Sequence, residues 1–323
     1  MSKEKPVIAV VIPCYKVKDK VLNVLNRIPA DVAHIFCVDD ACPEQSGVFI
    51  KQSCTDKRVQ VLFHDKNQGV GGAMITGYKA ALGTDADVVV KVDGDGQMNP
   101  EILHLFTAPI FKGLCDYTKG NRFFRPEDVQ SMPRLRLFGN GALSFLTKLS
   151  SGYWNIFDPT NGYTAIHARV LRRLPLDKMS HDYFFESDML FRLNILRAVV
   201  LDIPMTSVYT GEQSSLTVSN VLWPFLKGHA RNFCKRVAYN YFLRDFHVAS
   251  LEFVLGILFL LFGVIFGLVE WHAGQTAGVT ASAGTVMLSA LPVILGVQML
   301  LSFLQFDIQS VPRFPLHQNL PDE

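Results

Sequence analysis

Val88-Val89-Val90-Lys91-Val92-Asp93-Gly94-Asp95-Gly96-Gln97 decides how the larger part of this 323-residue chain folds. A short, β-branched run that breaks into an acidic, glycine-containing turn reads as a buried strand ending in a loop. Asp93 and Asp95 stand two apart, and in an extended chain residues i and i+2 point the same way. Both carboxylates can therefore face one hard cation, with Gln97 offering an amide oxygen one step further. Oxygen-only ligation suits Mg2+ or Mn2+, which keep positions open for diphosphate oxygens. Gly94 and Gly96 let the backbone turn sharply there. The plainer alternative is a solvated acidic turn. The position after an apolar strand, and the companions described next, favour the metal.

Working outward, residues 7–12, 34–38 and 59–63 are further short apolar runs, with helical stretches near 17–27, 44–53 and 70–82 between them. Strand alternating with helix predicts an α/β fold, a mostly parallel sheet with helices on both faces. Ligands in such sheets bind beyond the carboxyl ends of the strands. Each predicted strand leads into chemistry: Pro13-Cys14-Tyr15, Asp39-Asp40, His64 to Gly69, and the Asp93 cluster. At Asp39-Asp40 one carboxylate can accept hydrogen bonds from a base or ribose while the other supports the loop; a simple turn start is the alternative. Gly69, Gly71 and Gly72 open a helix and allow close packing beside a diphosphate. Their spacing is not GxGxxG, so a dinucleotide-binding fold is not indicated.

The C-terminal part reads differently. Residues 248–269 are apolar except for Ser250 and Glu252, and a helix of about 22 residues spans about 33 Å, enough for a bilayer core. Residues 283–306 form a second candidate span, interrupted by Pro292. The loop between them, 270–282, holds no Lys or Arg, whereas Lys227, Arg231, Lys235, Arg236 and Arg244 precede the first span. That asymmetry predicts an integral membrane protein with residues 1–247 and both termini cytoplasmic. A buried helical hairpin in a soluble domain is the alternative. Gly263 and Gly267 form a GxxxG suited to helix packing. Residues 220–245 mix Trp223, Phe225, Phe233, Tyr239, Tyr241 and Phe242 with the basic residues, as a helix in the headgroup region would. The expected division is a catalytic domain over 1–219, interfacial helices over 220–247, two membrane helices over 248–306 and a tail over 307–323.

Composition closes other routes. A formal net charge of +2 does not point to nucleic acid. The six cysteines include no C-x-x-C pair and no histidine cluster accompanies them, so neither a zinc site nor a disulfide framework is indicated. The first six residues carry no apolar run, and no signal peptide is expected there.

Taken together, Val11-Ile12-Pro13-Cys14-Tyr15, Val38-Asp39-Asp40, Asn67 to Ala73, Val92 to Gln97, Gly120-Asn121-Arg122-Phe123 and Asp158-Pro159-Thr160-Asn161-Gly162-Tyr163 resemble, in content and order, the family 2 glycosyltransferases of the GT-A fold. The likeness is strongest to the polyprenyl-phosphate branch, which includes dolichol-phosphate mannose synthase. It implies that Asp93, Asp95 and Gln97 hold the metal. It implies further that Pro13, Tyr15 and Asp39 or Asp40 contact the nucleoside, and that Arg122 reaches the phosphate of a lipid acceptor. The donor it implies is a UDP- or GDP-sugar. Two features depart from the pattern: Lys16-Val17 follows Tyr15 where relatives carry Asn-Glu, and 211–215 lacks a basic residue. The Q-x-x-R-W motif of processive polysaccharide synthases is absent.

Arg134 to Ser150 reads as an amphipathic helix, with Leu135, Phe138, Ala142, Phe145, Leu146 and Leu149 on one stripe and Arg136, Asn140, Ser144 and Lys148 on another. Lying on a membrane, it would offer Arg122, Arg134 or Arg136 to a lipid phosphate; an ordinary domain helix is the alternative. The expected reaction is one in-line displacement with inversion. A polyprenyl phosphate is already anionic and needs no strong base. A glycan hydroxyl would need one, with Glu186 and Asp188 as candidates, although both also suit the first turn of a helix. Self-association is left open.

Overall fold

The computed structural model describes residues 6–124, 134–206 and 218–321. It divides into two compact units, Met1–Phe233 with Pro312–Glu323, and Cys234–Val311.

The first unit is built on seven strands: β1 (Ile8–Cys14), β2 (Val32–Asp39), β3 (Val59–Phe63), β4 (Val88–Lys91), β5 (Tyr117–Asn121), β6 (Thr164–His167) and β7 (Val200–Pro204). Their order is β3-β2-β1-β4-β6-β5-β7. All neighbouring pairs are parallel except those made by β6, which runs antiparallel to both β4 and β5. The helices are α1 (Lys18–Asn26), α2 (Ser46–Ser53), α3 (Gly69–Leu82), α4 (Leu103–Phe111), α5 (Arg134–Ser151), α6 (Ala168–Arg173), α7 (Phe185–Ile195) and α8 (Val218–Val237). The expected first four strands and three helices are present within a few residues of their predicted bounds. β1 and β4 are buried along nearly their whole length, as strands covered on both faces must be.

Topology sets the site. The parallel strands β1, β2, β3, β4, β5 and β7 all end at one edge. Because β6 runs the other way, the segment that precedes it, Asp158 to Tyr163, arrives at that same edge. Residues 312–321 also belong to this unit: Asp116, fully buried, accepts hydrogen bonds from the backbone N–H of Leu316 and His317, from the His317 ring and from Val199.

In the second unit, α9 (Val248–Ala277) and α10 (Ala283–Gln309) are long and apolar enough to cross a membrane. Leu258, Ile265, Leu268, Ile294 and Leu301 on them are more than half exposed, which a soluble core helix would not permit. α9 runs eight residues beyond the expected span. Small residues seat the hairpin: Ser289 Oγ donates to the carbonyl of Gly263 at 2.9 Å, and Gly256 faces the backbone of Gly296. Ahead of α9, the Arg236 guanidinium grips buried Asp307 through two nitrogens, at 2.6 and 3.0 Å, and the Tyr241 hydroxyl donates to the same carboxylate.

On α5 the apolar stripe faces outward, with Phe138 78% and Phe145 52% exposed, while Ser144, Thr147, Ser150 and Ser151 are buried. Of the two alternatives, an outward apolar stripe is what a membrane-lying helix would present; of the polar stripe, Ser144 is buried and Asn140 and Lys148 are half-buried. The side chains of Arg134, Leu135 and Arg136 lie outside the described residues, as does 211–215.

Candidate active site

The acidic motif follows β4 at the carboxyl edge. Asp95 accepts the backbone N–H of Gln97 at 3.0 Å, and Gly96 takes a left-handed φ of 74° to close the turn. Burial, and then the charge of Asp93, push the Asp95 carboxyl above its usual range. Two carboxylates that repel each other in a part-buried turn form a site a cation would relieve. Among the described residues no group of three or more His, Cys, Asp or Glu side chains converges. The motif therefore supplies two carboxylates and an amide, all oxygen donors. That set fits Mg2+ or Mn2+, which complete their shells with water and substrate oxygens.

Behind the motif lies an ion cluster that sequence reading missed. Lys91 is 2% exposed, and its ammonium stands 2.9 Å from Asp93 Oδ1 and 3.1 Å from Glu186 Oε1. Burial alone would push Lys91 down, but the charges of Asp93 and Glu186 outweigh it and hold the ammonium above its ordinary range. Across the sheet, Lys91 pairs with Thr164, Thr164 with Lys119, and Lys119 with Asp202. Buried Lys119 donates to the carbonyl of Asn161. Burial pushes it down to about 8, partly offset by Asp158, Glu186 and Asp202. The signal was a single charge inside a valine strand, since lysine is almost never fully buried without a partner.

The remaining predicted residues sort as follows. Tyr15 is 44% exposed at the end of β1, next to partly exposed Pro13. Asp39 is buried and accepts the N–H of Cys42 and of Gly47, so it fixes the loop into α2. Asp40 accepts from the His64 ring, from Gln68 and from Gly69, so it fixes the loop into α3. Both carboxylates serve loops, where one was expected to be open. Gly71 lies close to backbone as expected, but to that of the protein itself: its N–H donates to the His181 carbonyl at 2.8 Å, and a Cβ there would run into Ser180.

Arg122 is at the same edge, its side chain 21% exposed and paired with buried Asp158 at 2.7 Å. Asp188 is corrected from candidate base to anchor: fully buried, it accepts from Ser180 N, Arg192 and Asn232, and has no access to an acceptor proton. Glu186 is held by Lys91 as described. Nearby, burial pushes the Asp202 carboxyl up to about 6, and its Oδ1 has no hydrogen-bond partner among the described residues.

The chain matches the family model "Glycosyl transferase family 2" over residues 9–174. It belongs to that family. It is 28% identical over 232 residues to the UDP-N-acetylglucosamine–dolichyl-phosphate N-acetylglucosaminyltransferase of Methanococcus voltae, covering 68% of this chain and 92% of that protein. It is 31% identical over 202 residues to the undecaprenyl-phosphate mannosyltransferase of Micrococcus luteus, covering 61% and 82%. These likenesses group it with the polyprenyl-phosphate branch. Among solved structures, glucosyl-3-phosphoglycerate synthase from Mycobacterium tuberculosis, in complex with Mn2+ and UDP, superposes with a TM-score of 0.54 at 16% identity, covering 72% of this chain and 80% of that one. That likeness bears on the fold, and agrees with the expected GT-A architecture.

Proposed function

We propose that this glycosyltransferase moves a single sugar from a nucleotide-sugar donor, UDP- or GDP-linked, to a polyprenyl phosphate at the cytoplasmic face of a membrane. The observation that carries the reading is one sheet edge holding both the acidic motif and Arg122, in a chain that also bears two exposed, membrane-length helices. The dolichyl- and undecaprenyl-phosphate relatives support it.

Asp93, Asp95 and Gln97 would hold Mg2+ or Mn2+. When bound, the ion neutralises charge on the leaving nucleoside diphosphate. The chain's own groups do the rest. Tyr15 and Pro13 border the nucleoside position, and the loops fixed by Asp39 and Asp40 shape it. Arg122, its fork oriented by Asp158, faces the acceptor phosphate. Arg134 and Arg136 at the start of α5 are further candidates for that phosphate. Positioning and charge neutralisation then carry the rate of a single in-line, inverting displacement. No proton need be removed from a phosphate acceptor. Transfer to a glycan hydroxyl is the weaker reading, because Asp188 is inaccessible and Glu186 is committed to Lys91.

The exposed Trp223, Leu243 and Phe246 support residues 220–247 lying in the headgroup region. The test is incubation of the purified full chain in detergent with Mn2+, a panel of nucleotide sugars and undecaprenyl phosphate, with products read by mass spectrometry. A glycosyl phosphoprenol is expected. Sugar found on glycan hydroxyls and never on the lipid phosphate would overturn the reading.

A further inference from the structure

Lys91 sits at the end of a valine strand, where its ammonium is out of reach of water. Such a charge persists only when paired. A lysine kept merely as counter-ion to Glu186 would need no second contact. Lys91 has one, and it falls on Asp93, two residues beyond the end of its own strand. Glu186 arrives from the first turn of α7, far off in sequence, so the ammonium ties the acidic motif to a separate element. Gly162 closes the remaining side: a Cβ there would overlap both Lys91 Nζ and Asp93 Oδ2. Lys119 holds the same loop through the Asn161 carbonyl. Asp93 Oδ1 is thus engaged by Lys91, while the Asp93 side chain stays 26% exposed.

We propose that Lys91 is a positioning residue for the acidic motif: its ammonium, backed by Gly162, fixes the Asp93 carboxylate beside Asp95 for a divalent cation. The proposal rests on the metal reading given above. In it, Glu186 is the fixed far end of the clamp.

The test titrates Mn2+ against full-length protein in detergent, without donor sugar, and follows free Mn2+ by electron paramagnetic resonance. Glu186→Gln, Lys91→Met and the Lys91→Met/Glu186→Gln pair are compared with wild type. The double variant leaves no unpaired carboxylate at Glu186, so it remains informative if Lys91→Met fails to fold. It is expected to melt near the wild-type temperature yet bind Mn2+ at least about tenfold more weakly, as loss of a group that orients a metal ligand does. Its kcat for transfer should fall while KM for undecaprenyl phosphate holds. Wild-type Mn2+ affinity in the double variant would overturn the clamp and leave the metal reading standing. No Mn2+ binding by wild type would overturn both.

Discussion

Asp158 holds Arg122 by three hydrogen bonds at once, from Nε at 2.7 Å, from Nη2 at 2.8 Å and from the backbone N–H at 3.2 Å. The carboxylate is buried and the guanidinium is at the sheet edge, so the pair fixes the plane of the Arg122 fork. Lysine cannot reproduce that fork. Arg122→Lys is expected to lower kcat/KM for the lipid phosphate at least about tenfold, or roughly 1.4 kcal/mol, with donor KM little changed. Initial rates at varied lipid concentration check this.

The metal reading makes its own prediction. Asp95→Ala removes one of two carboxylates in the motif and should abolish transfer, by at least about a hundredfold for the several kcal/mol a Lewis-acid ion supplies. Circular dichroism should stay unchanged, because the Asp95 hydrogen bond to Gln97 is local. Retained transfer in a folded variant would refute the assignment.

Four strands, the helices between them and the acidic motif were readable because each strand was a short run rich in apolar, β-branched residues that ended in a turn. β5, β6 and β7 were not. Tyr-Thr-Lys-Gly-Asn, Thr-Ala-Ile-His and Val-Leu-Asp-Ile-Pro carry charges or are too short to show a period. Their charges are the very side chains, Lys119 and Asp202, that form the row behind the site. Periodicity likewise gave α5 its two faces, but which face turns inward depends on neighbours such as His229, which meets Ser150 at 2.8 Å. A residue's partner at a distance of 79 positions leaves no local trace.

That histidine should also shape the pH response. Burial lowers the His229 pKa to about 4, from about 6.5 unfolded. Between those values the unfolded chain binds a proton the folded one refuses, so stability is fully present above about pH 6.5 and is lost as pH falls toward 4. His167, also lowered to about 4 by burial, acts with the same sign. Asp202, raised to about 6, acts oppositely over pH 4 to 6, because there the folded state keeps a proton the unfolded one releases. His229→Leu should flatten the acid side of the stability profile, as followed by thermal melting from pH 4 to 7.5. An unchanged slope would show that His229 is not a source of it.

Two glycine-to-alanine changes should have opposite signs. Gly71 opens α3 with its Cα against the backbone of Ser180 and His181, and its N–H bonded to the His181 carbonyl. A methyl group there must push apart two backbones, neither of which can swing away as a side chain would. Overpacking of this kind costs roughly 1–3 kcal/mol. It should also displace the segment leading into α7, and with it the Glu186 end of the Lys91 contact. Gly71→Ala is therefore expected to lower both the melting temperature and transfer. Gly141 lies within α5, and a methyl group on it would meet nothing within 4 Å among the described residues. There alanine only removes the backbone freedom glycine has in the unfolded chain, a gain of about 0.5–1 kcal/mol. Gly141→Ala should raise the melting temperature and leave kcat intact. If both variants melted alike, the close approach of α3 to the Ser180–His181 backbone would be wrong, and with it the path from the glycine turn to Glu186.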